Sequence, residues 1–235
     1  MGYREISWGG ALSGSPERPD SPLRSASPPG SLLWTPPAVS LQGIPNPVSA
    51  PRPNPATFRR VKIPKGSRGT TATLKIMADL AREAASDPYF IMEARGIVRG
   101  NGSKNYEQDA RSIMDFVKTR IDYRPDPQAD GMVDWVQSPG WTLYVDGQGD
   151  CDDSSTLLAA LDLAAGLGAS FRAVRLNRAD PSSFSHVYTM AGWRDSRTGR
   201  VVWAAQDTVP DPVLGWEPPA EEQVGPPNDE LVGWP

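Results

Sequence analysis

Cys151, the only cysteine of the chain, is the residue best suited to nucleophilic chemistry. It lies in GQGDCDDSSTLLAALDLAAGLG, residues 147–168, where an apolar helical pattern begins. A helix N-terminus offers unpaired backbone N–H groups and a positive dipole end, and both favour the thiolate, the nucleophilic form of cysteine. The neighbouring Asp150, Asp152 and Asp153 suit a helix start, but their negative charge opposes a thiolate. This conflict predicts a cationic or proton-accepting partner for the thiol.

His186, the only histidine, is the candidate partner. It falls on the first strand of a predicted hairpin, and Asp207 falls on the second. The turn-like link RDSRTG puts the centre of the hairpin near residue 197, so we expect His186 and Asp207 to face each other across the ladder. A nucleophile at a helix start, a base on one strand and a carboxylate on the next make the general triad arrangement. A single cysteine is more often a small buried apolar residue. The combination of Cys151, His186 and Asp207 nevertheless favours catalysis.

A calcium loop is a rival interpretation of the same stretch. Oxygen-bearing side chains alternate there as the first ligands of such a loop do: Asp146, Gln148, Asp150 and Asp152. However, Cys151 takes the place of the loop's glycine, and Leu157 that of its bidentate glutamate. One cysteine and one histidine are also too few for a zinc site. We therefore predict no metal and no cofactor.

The elements that must position these residues follow from hydrophobic periodicity. Apolar stripes at helical spacing predict three helices: Leu74, Met77, Leu80 and Ala81; Ile113, Phe116, Val117 and Ile121; and Leu157, Leu158, Leu161 and Ala165. Pro88, capped by Asp87, predicts the start of a further helix, and Gly166 predicts the stop of the last one. Residues 124–141 are rich in turn formers and are predicted to form a loop. Strand-like patterns then cover residues 170–177, 184–193 and 200–209.

Proline divides the chain into regions. About half of its 25 prolines lie in residues 1–58, which we expect to be an extended arm. Two apolar islands in the arm, SLLW and VSLQGI, are either parts of a linker or contacts to a partner, with Trp34 as the best anchor. Residues 59–69 are predicted to form a basic connector, 70–217 the folded domain, and 218–235 a tail rich in proline and acid.

Composition excludes several classes of protein. The net charge of −4 and the pI of about 5.1 argue against nucleic-acid binding, which normally requires a basic surface. A single cysteine cannot form an internal disulfide, which favours a reducing compartment. The sequence has no signal-peptide pattern at its start and no apolar run long enough for a membrane span.

Taken together, the cysteine stretch, FRAVRL, FSHVYTMAGW and VVWAAQDTVPDPVLGWE resemble the core of the transglutaminase-like superfamily, and more narrowly its version in bacteriophage structural-gene clusters. The resemblance covers about residues 70–217. It implies an α+β, papain-like fold with a helical half, an antiparallel sheet half and a Cys-His-Asp triad. Cys151, His186 and Asp207 match the three motifs in order.

The resemblance implies cysteine acyl transfer or amide hydrolysis on a protein or peptide, in a protein associated with a phage virion or tail. The alternative is a catalytically inert virion component that uses the same fold as a binding module. The oxyanion hole would combine the Cys151 backbone N–H with a second donor, for which Gln148 and Trp141 are both candidates. The expected partners are other virion subunits, contacted through the arm near Trp34, and the expected location is the virion or the host cytoplasm.

Overall fold

A computed structural model describes residues 60–63, 67–126, 134–179, 184–209, 213–224 and 227–234. The predictions for the N-terminal arm, residues 1–58, therefore lie outside the described residues. In the described part, the chain has the expected α+β architecture, with a helical half and an antiparallel sheet half.

Five helices occur among the described residues: α1 (Ser67–Ala85), α2 (Pro88–Ile97), α3 (Tyr106–Arg120), α4 (Pro139–Trp141) and α5 (Cys151–Ala165). The short α4 continues into a π-helical turn, Thr142–Asp146. That turn ends at Gly147, whose φ of 65° is left-handed and suits glycine.

The predicted apolar stripes line the core. Those of α1 and α5 are buried: Leu74, Met77, Leu80 and Ala81, and Leu157, Leu158 and Leu161. The predicted helix start at Pro88 is confirmed, because the Asp87 side chain accepts a hydrogen bond from the backbone N–H of Tyr89 at 2.8 Å. The predicted stop of α5 is also confirmed, since Gly166 ends the helix with a φ of 87°.

The described strands are β1 (Arg60–Ile63), β2 (Asp122–Tyr123), β3 (Asp134–Gln137), β4 (Gln148–Gly149), β5 (Gly168–Val174), β6 (His186–Arg194), β7 (Val201–Gln206) and β8 (Asn228–Gly233). The main sheet has the order β7-β6-β5-β8, with antiparallel neighbours throughout. Two small ladders lie apart from it: β1 pairs with β3, and β2 pairs in parallel with β4.

α5 connects the two halves of the fold. It packs against α1, α2 and α3 on the helical side and against β5 and β6 of the sheet. Side-chain bonds reinforce this contact, because Ser155 Oγ donates to the Val187 carbonyl at 3.2 Å and Thr189 Oγ1 donates to the Ser155 carbonyl at 2.9 Å. The first residue of α5, Cys151, is thereby held beside the first residues of β6.

The structure adds strands where the sequence predicted irregular chain. β1 lies in the predicted connector, β3 lies in the predicted loop, and β8 lies in the predicted tail. β8 belongs to the domain because α1 and β5 both hold it: Arg82 donates to the Val232 carbonyl at 2.6 Å, and Arg172 forms a bidentate pair with Asp229. No helix among the described residues is long and apolar enough to cross a bilayer.

Candidate active site

His186 and Asp207 form a direct contact at one end of the main sheet. His186 Nε2 lies 2.7 Å from Asp207 Oδ2, and their side chains are only 12% and 2% exposed. The other carboxylate oxygen, Asp207 Oδ1, accepts a hydrogen bond from the backbone N–H of Val209 at 2.9 Å. Both oxygens of the carboxylate are thus engaged, and the imidazole is left with Nδ1 as the nitrogen available to another group.

The strand register differs in detail from the prediction. β6 pairs with β7 from Arg194↔Val201 to Thr189↔Gln206, so the centre of the hairpin is close to the predicted residue 197. Continuing this register by one residue puts Asp207 opposite Tyr188. Asp207 is therefore a diagonal neighbour of His186 on the same sheet face and does not sit directly opposite it.

Cys151 occupies the first position of α5, as the sequence predicted. Asp150 is the N-cap residue, and its side chain accepts a hydrogen bond from the backbone N–H of Asp152. The Cys151 sulfur accepts a backbone hydrogen bond from Val187, the residue next to His186. This bond puts the thiol at the same end of β6 as the histidine.

The surroundings of the thiol favour its neutral form. Burial raises the pKa of the Cys151 thiol well above its usual value, and the charges of Asp150, Asp152 and Asp207 raise it further, while the Val187 hydrogen bond acts in the opposite direction. Although Cys151 as a residue is only half-buried, its sulfur is enclosed by protein. Burial and the neighbouring aspartates thus both favour the neutral thiol, whereas the helix start alone led us to expect a thiolate.

Asp153 fixes the segment that leads into α5. It is fully buried, and its Oδ1 accepts a hydrogen bond from the backbone N–H of Gln137 in β3 at 2.7 Å. A Cβ at Gly149 would lie 2.6 Å from Asp153 Cβ, so only glycine fits at this approach. Burial, together with the charges of Asp150 and Asp126, raises the pKa of Asp153 to about 8. At neutral pH this carboxyl is therefore mostly protonated.

Two residues of the rival calcium-loop interpretation bond to arginine side chains. Asp146 forms an ion pair with Arg60, and the Gln148 Oε1 accepts a hydrogen bond from Arg124 at 2.8 Å. Carboxylate oxygens of Asp150, Asp152 and Asp153 do lie within 4.8 Å of one another. Because Asp150 caps α5 and Asp153 is bonded to β3, the helix start itself accounts for this cluster.

The two oxyanion candidates lie on different elements. Gln148, in β4, has its amide oxygen bonded to Arg124. The Trp141 Nε1, at the end of α4, is buried and has no hydrogen-bond partner among the described residues. The Arg60 guanidinium lies 5.1 Å above the Trp141 ring. Both side chains therefore keep an N–H donor, the indole of Trp141 and the amide nitrogen of Gln148, and both stay candidates for this role.

Tyr123 lies beside the candidate site and could not be predicted from the sequence. This residue pairs with Gly149 in the β2–β4 ladder and is 51% exposed. Burial raises the pKa of Tyr123 to about 12, and the charges of Cys151, Asp150, Asp152 and Asp207 add to the effect. Its hydroxyl is therefore a neutral group beside the candidate site, and no local motif in IDYRPDP indicates this.

Residues 93–202 match the family model of the transglutaminase-like superfamily. This segment is a transglutaminase-like domain. The matched range contains Cys151 and His186 and ends before Asp207.

One solved structure similar to this chain is a protein from Parabacteroides distasonis ATCC 8503, described as a candidate protease. The two chains are 17% identical, with a TM-score of 0.39. The match covers 56% of this chain and 26% of the other, so this chain spans about a quarter of that protein's length. No curated protein matches this chain.

Proposed function

We propose that Cys151, His186 and Asp207 form a catalytic triad that cleaves or transfers the acyl group of an amide in a protein or peptide substrate. The observation that carries this proposal is the 2.7 Å contact between His186 and Asp207 at the strand end where the thiol bonds to Val187. A carboxylate that holds one imidazole nitrogen leaves the other available as a base for a nearby nucleophile.

The reaction starts from a neutral thiol, because the pKa of Cys151 is raised. As the sulfur attacks the amide carbon, His186 Nδ1 takes the thiol proton and the new S–C bond forms. The C–N bond then breaks, and the imidazolium returns that proton to the leaving amine nitrogen. The product of this half-reaction is a thioester on Cys151 and a free amine.

Asp207 acts on the imidazole throughout this sequence. Its Oδ2 accepts from Nε2–H, so it fixes the tautomer with the basic lone pair on Nδ1. Its charge also stabilises the imidazolium that forms. Because the thiol is not ionised in advance, the reaction depends on this base more strongly than it would with a pre-formed thiolate.

The thioester has two possible fates. Water, activated by His186, releases a carboxylic acid and restores the thiol, which is hydrolysis. A primary amine such as a lysine side chain forms a new amide and also restores the thiol, which is cross-linking. The proposed oxyanion donors are the Cys151 backbone N–H and one second N–H, from either the Trp141 indole or the Gln148 amide.

The test is an assay with a mixed unfolded-protein substrate and a fluorescent primary amine. The proposal predicts either peptide release or incorporation of the amine, and Cys151→Ala should abolish it without lowering the melting temperature. Ser154→Ala, which changes a buried polar residue of the same helix, is the matched control and should retain activity. Equal background signals from the wild type and Cys151→Ala on both readouts would contradict the proposal.

The second candidate is an inert domain that uses this fold as a binding module. The raised pKa of Cys151 favours it, because a thiol kept neutral by burial and by nearby aspartates is poorly suited to unaided attack. As a finer proposal from the phage resemblance, either form of the domain would be a virion or tail component that contacts other subunits through the arm near Trp34. Deleting residues 1–58 should then prevent incorporation into particles.

A further inference from the structure

Two fully buried polar side chains lie beneath the strand end that carries Asp207. Gln206 is the last residue of β7, and Asp162 lies in the last turn of α5; both are 0% exposed. The Gln206 Nε2 donates hydrogen bonds to the Ala110 carbonyl of α3 at 2.8 Å and to Asp162 Oδ1 at 3.3 Å. One amide group therefore ties the end of β7 to two helices.

Each of these side chains also has one oxygen without a hydrogen-bond partner among the described residues, Gln206 Oε1 and Asp162 Oδ2. Both are acceptors when the carboxyl is ionised, so they cannot bond to each other in that state. A proton on Asp162 Oδ2 converts it into a donor, for which the Gln206 amide oxygen can serve as the acceptor, because the amide nitrogen already bonds to the other oxygen of this carboxyl. Burial raises the pKa of Asp162 well above its usual value, which agrees with a protonated carboxyl.

The place of Gln206 in the ladder gives this pair a role. Gln206 pairs with Thr189, and this is the last residue pair between β6 and β7. Asp207 follows directly and has no ladder partner to hold its backbone. The last anchored residue before the proposed triad carboxylate is thus the one whose side chain reaches α3 and α5.

We propose that Asp162 and Gln206 form a neutral acid–amide pair that positions Asp207 against His186. This inference rests on the proposed triad. Asp162 and Gln206 are positioning residues, because they act on His186 only through Asp207. The pair predicts that an amide can replace the acid at position 162, since Asn also offers one acceptor and one donor to Gln206.

The experiment uses the full chain and two readouts. The first is the Nε2–H proton resonance of His186, which needs no assignment because the chain has one histidine. The second is the rate at which iodoacetamide alkylates Cys151, the only thiol. The variants are Asp162→Asn, Asp162→Leu and Gln206→Met, and Leu74→Ala in α1 is the control for a general loss of stability.

Asp162→Asn should keep the wild-type resonance and rate. Asp162→Leu and Gln206→Met should lose the His186 Nε2–H resonance, which lies downfield because of the hydrogen bond to Asp207. Their rate of Cys151 alkylation should fall by up to about a hundredfold, which is the effect expected when a catalytic group is misplaced by about 1 Å. Leu74→Ala should lower the melting temperature and leave both readouts unchanged.

Two results would overturn the inference: wild-type readouts in both Asp162→Leu and Gln206→Met, or loss of the resonance in Asp162→Asn. If either Asp162→Leu or Gln206→Met fails to fold, the readouts of the other variant still test the inference. If wild-type Cys151 proves unreactive while the resonance responds as predicted, the triad chemistry fails and the positioning pair stands.

Discussion

His186 Nε2 and Asp207 Oδ2 lie 2.7 Å apart although neither residue is the ladder partner of the other. The contact exists because Asp207 extends β7 by one residue and its side chain points diagonally along the same face of the sheet. This geometry holds one imidazole nitrogen, and the proposed triad assigns the other to Cys151.

Asp207→Asn is the most direct test of the carboxylate. An asparagine keeps the shape but can donate to Nε2, which favours the wrong tautomer of His186. We expect turnover to fall by on the order of 10² to 10⁴, which is a smaller loss than Cys151→Ala causes. Asp195→Asn, which changes an exposed carboxylate in the β6–β7 turn, should have no effect. Full activity in Asp207→Asn would show that the contact is only structural.

Asp150→Asn should make the thiol more reactive. The substitution removes a charge that raises the pKa of Cys151, and the amide oxygen can still cap α5. The measurement is the second-order rate constant for iodoacetamide at pH 7, which should rise. Asp79→Asn, on the exposed side of α1, is the control and should leave it unchanged. A slower reaction in Asp150→Asn would mean that the cap matters more than the charge.

Stability should fall as pH rises from about 4 to about 8. Asp153 titrates near 3.8 when unfolded and at about 8 when folded, so the folded state binds more protons in this window. Each unit of difference contributes about 1.4 kcal/mol, so the total loss is several kcal/mol. The stability that the neutral Asp153 contributes is fully present below the pKa of the unfolded state, and it is lost once the pH exceeds the pKa of the folded state.

Urea unfolding at several pH values measures this slope, and Asp153→Asn should reduce it. The variant keeps an acceptor for the backbone N–H of Gln137, so it should fold. Asp162 contributes in the same direction, because its pKa is also raised by burial. A wild-type stability that increases steadily from pH 4 to pH 8 would contradict this assignment.

Gly149→Ala should disturb the start of α5. The new methyl group would lie 2.6 Å from Asp153 Cβ, so the segment before Cys151 must shift. We expect a lower melting temperature and a changed alkylation rate. The control is Gly96→Ala in α2, where nothing lies within 4 Å of the added Cβ. That variant should be neutral or more stable by up to about 1 kcal/mol.

The sequence analysis located the helices and the hairpin because each has a regular apolar period and clear stop signals. Cys151 and His186 could be proposed as site residues because each is the only residue of its type in the chain. Asp207 could be proposed because its spacing from His186 suits a hairpin. The centre of the hairpin was accurate to one residue, but Asp207 lies two residues along from the predicted pairing with His186, so the contact was predicted and its diagonal geometry was not.

The missed features depend on contacts between distant segments. β8 has little apolar character, and Arg82 and Arg172 hold it from elsewhere in the chain. A Cβ at Gly168 would lie 2.4 Å from a ring atom of Trp234, a fit between tail and sheet that no local pattern reveals. The pairing of Gln206 with Asp162 likewise requires the packed structure, because 44 residues separate them.

The central claim is that His186 activates Cys151, and the pH dependence of alkylation tests it most directly. Because Cys151 is the only thiol, an iodoacetamide label reports on this site alone. We predict that the wild type reacts at neutral pH, and that His186→Ala reacts more slowly by about 10² or more and needs alkaline pH. Both proteins should react equally after unfolding. Identical rate constants for folded wild type and folded His186→Ala at every pH would contradict the account.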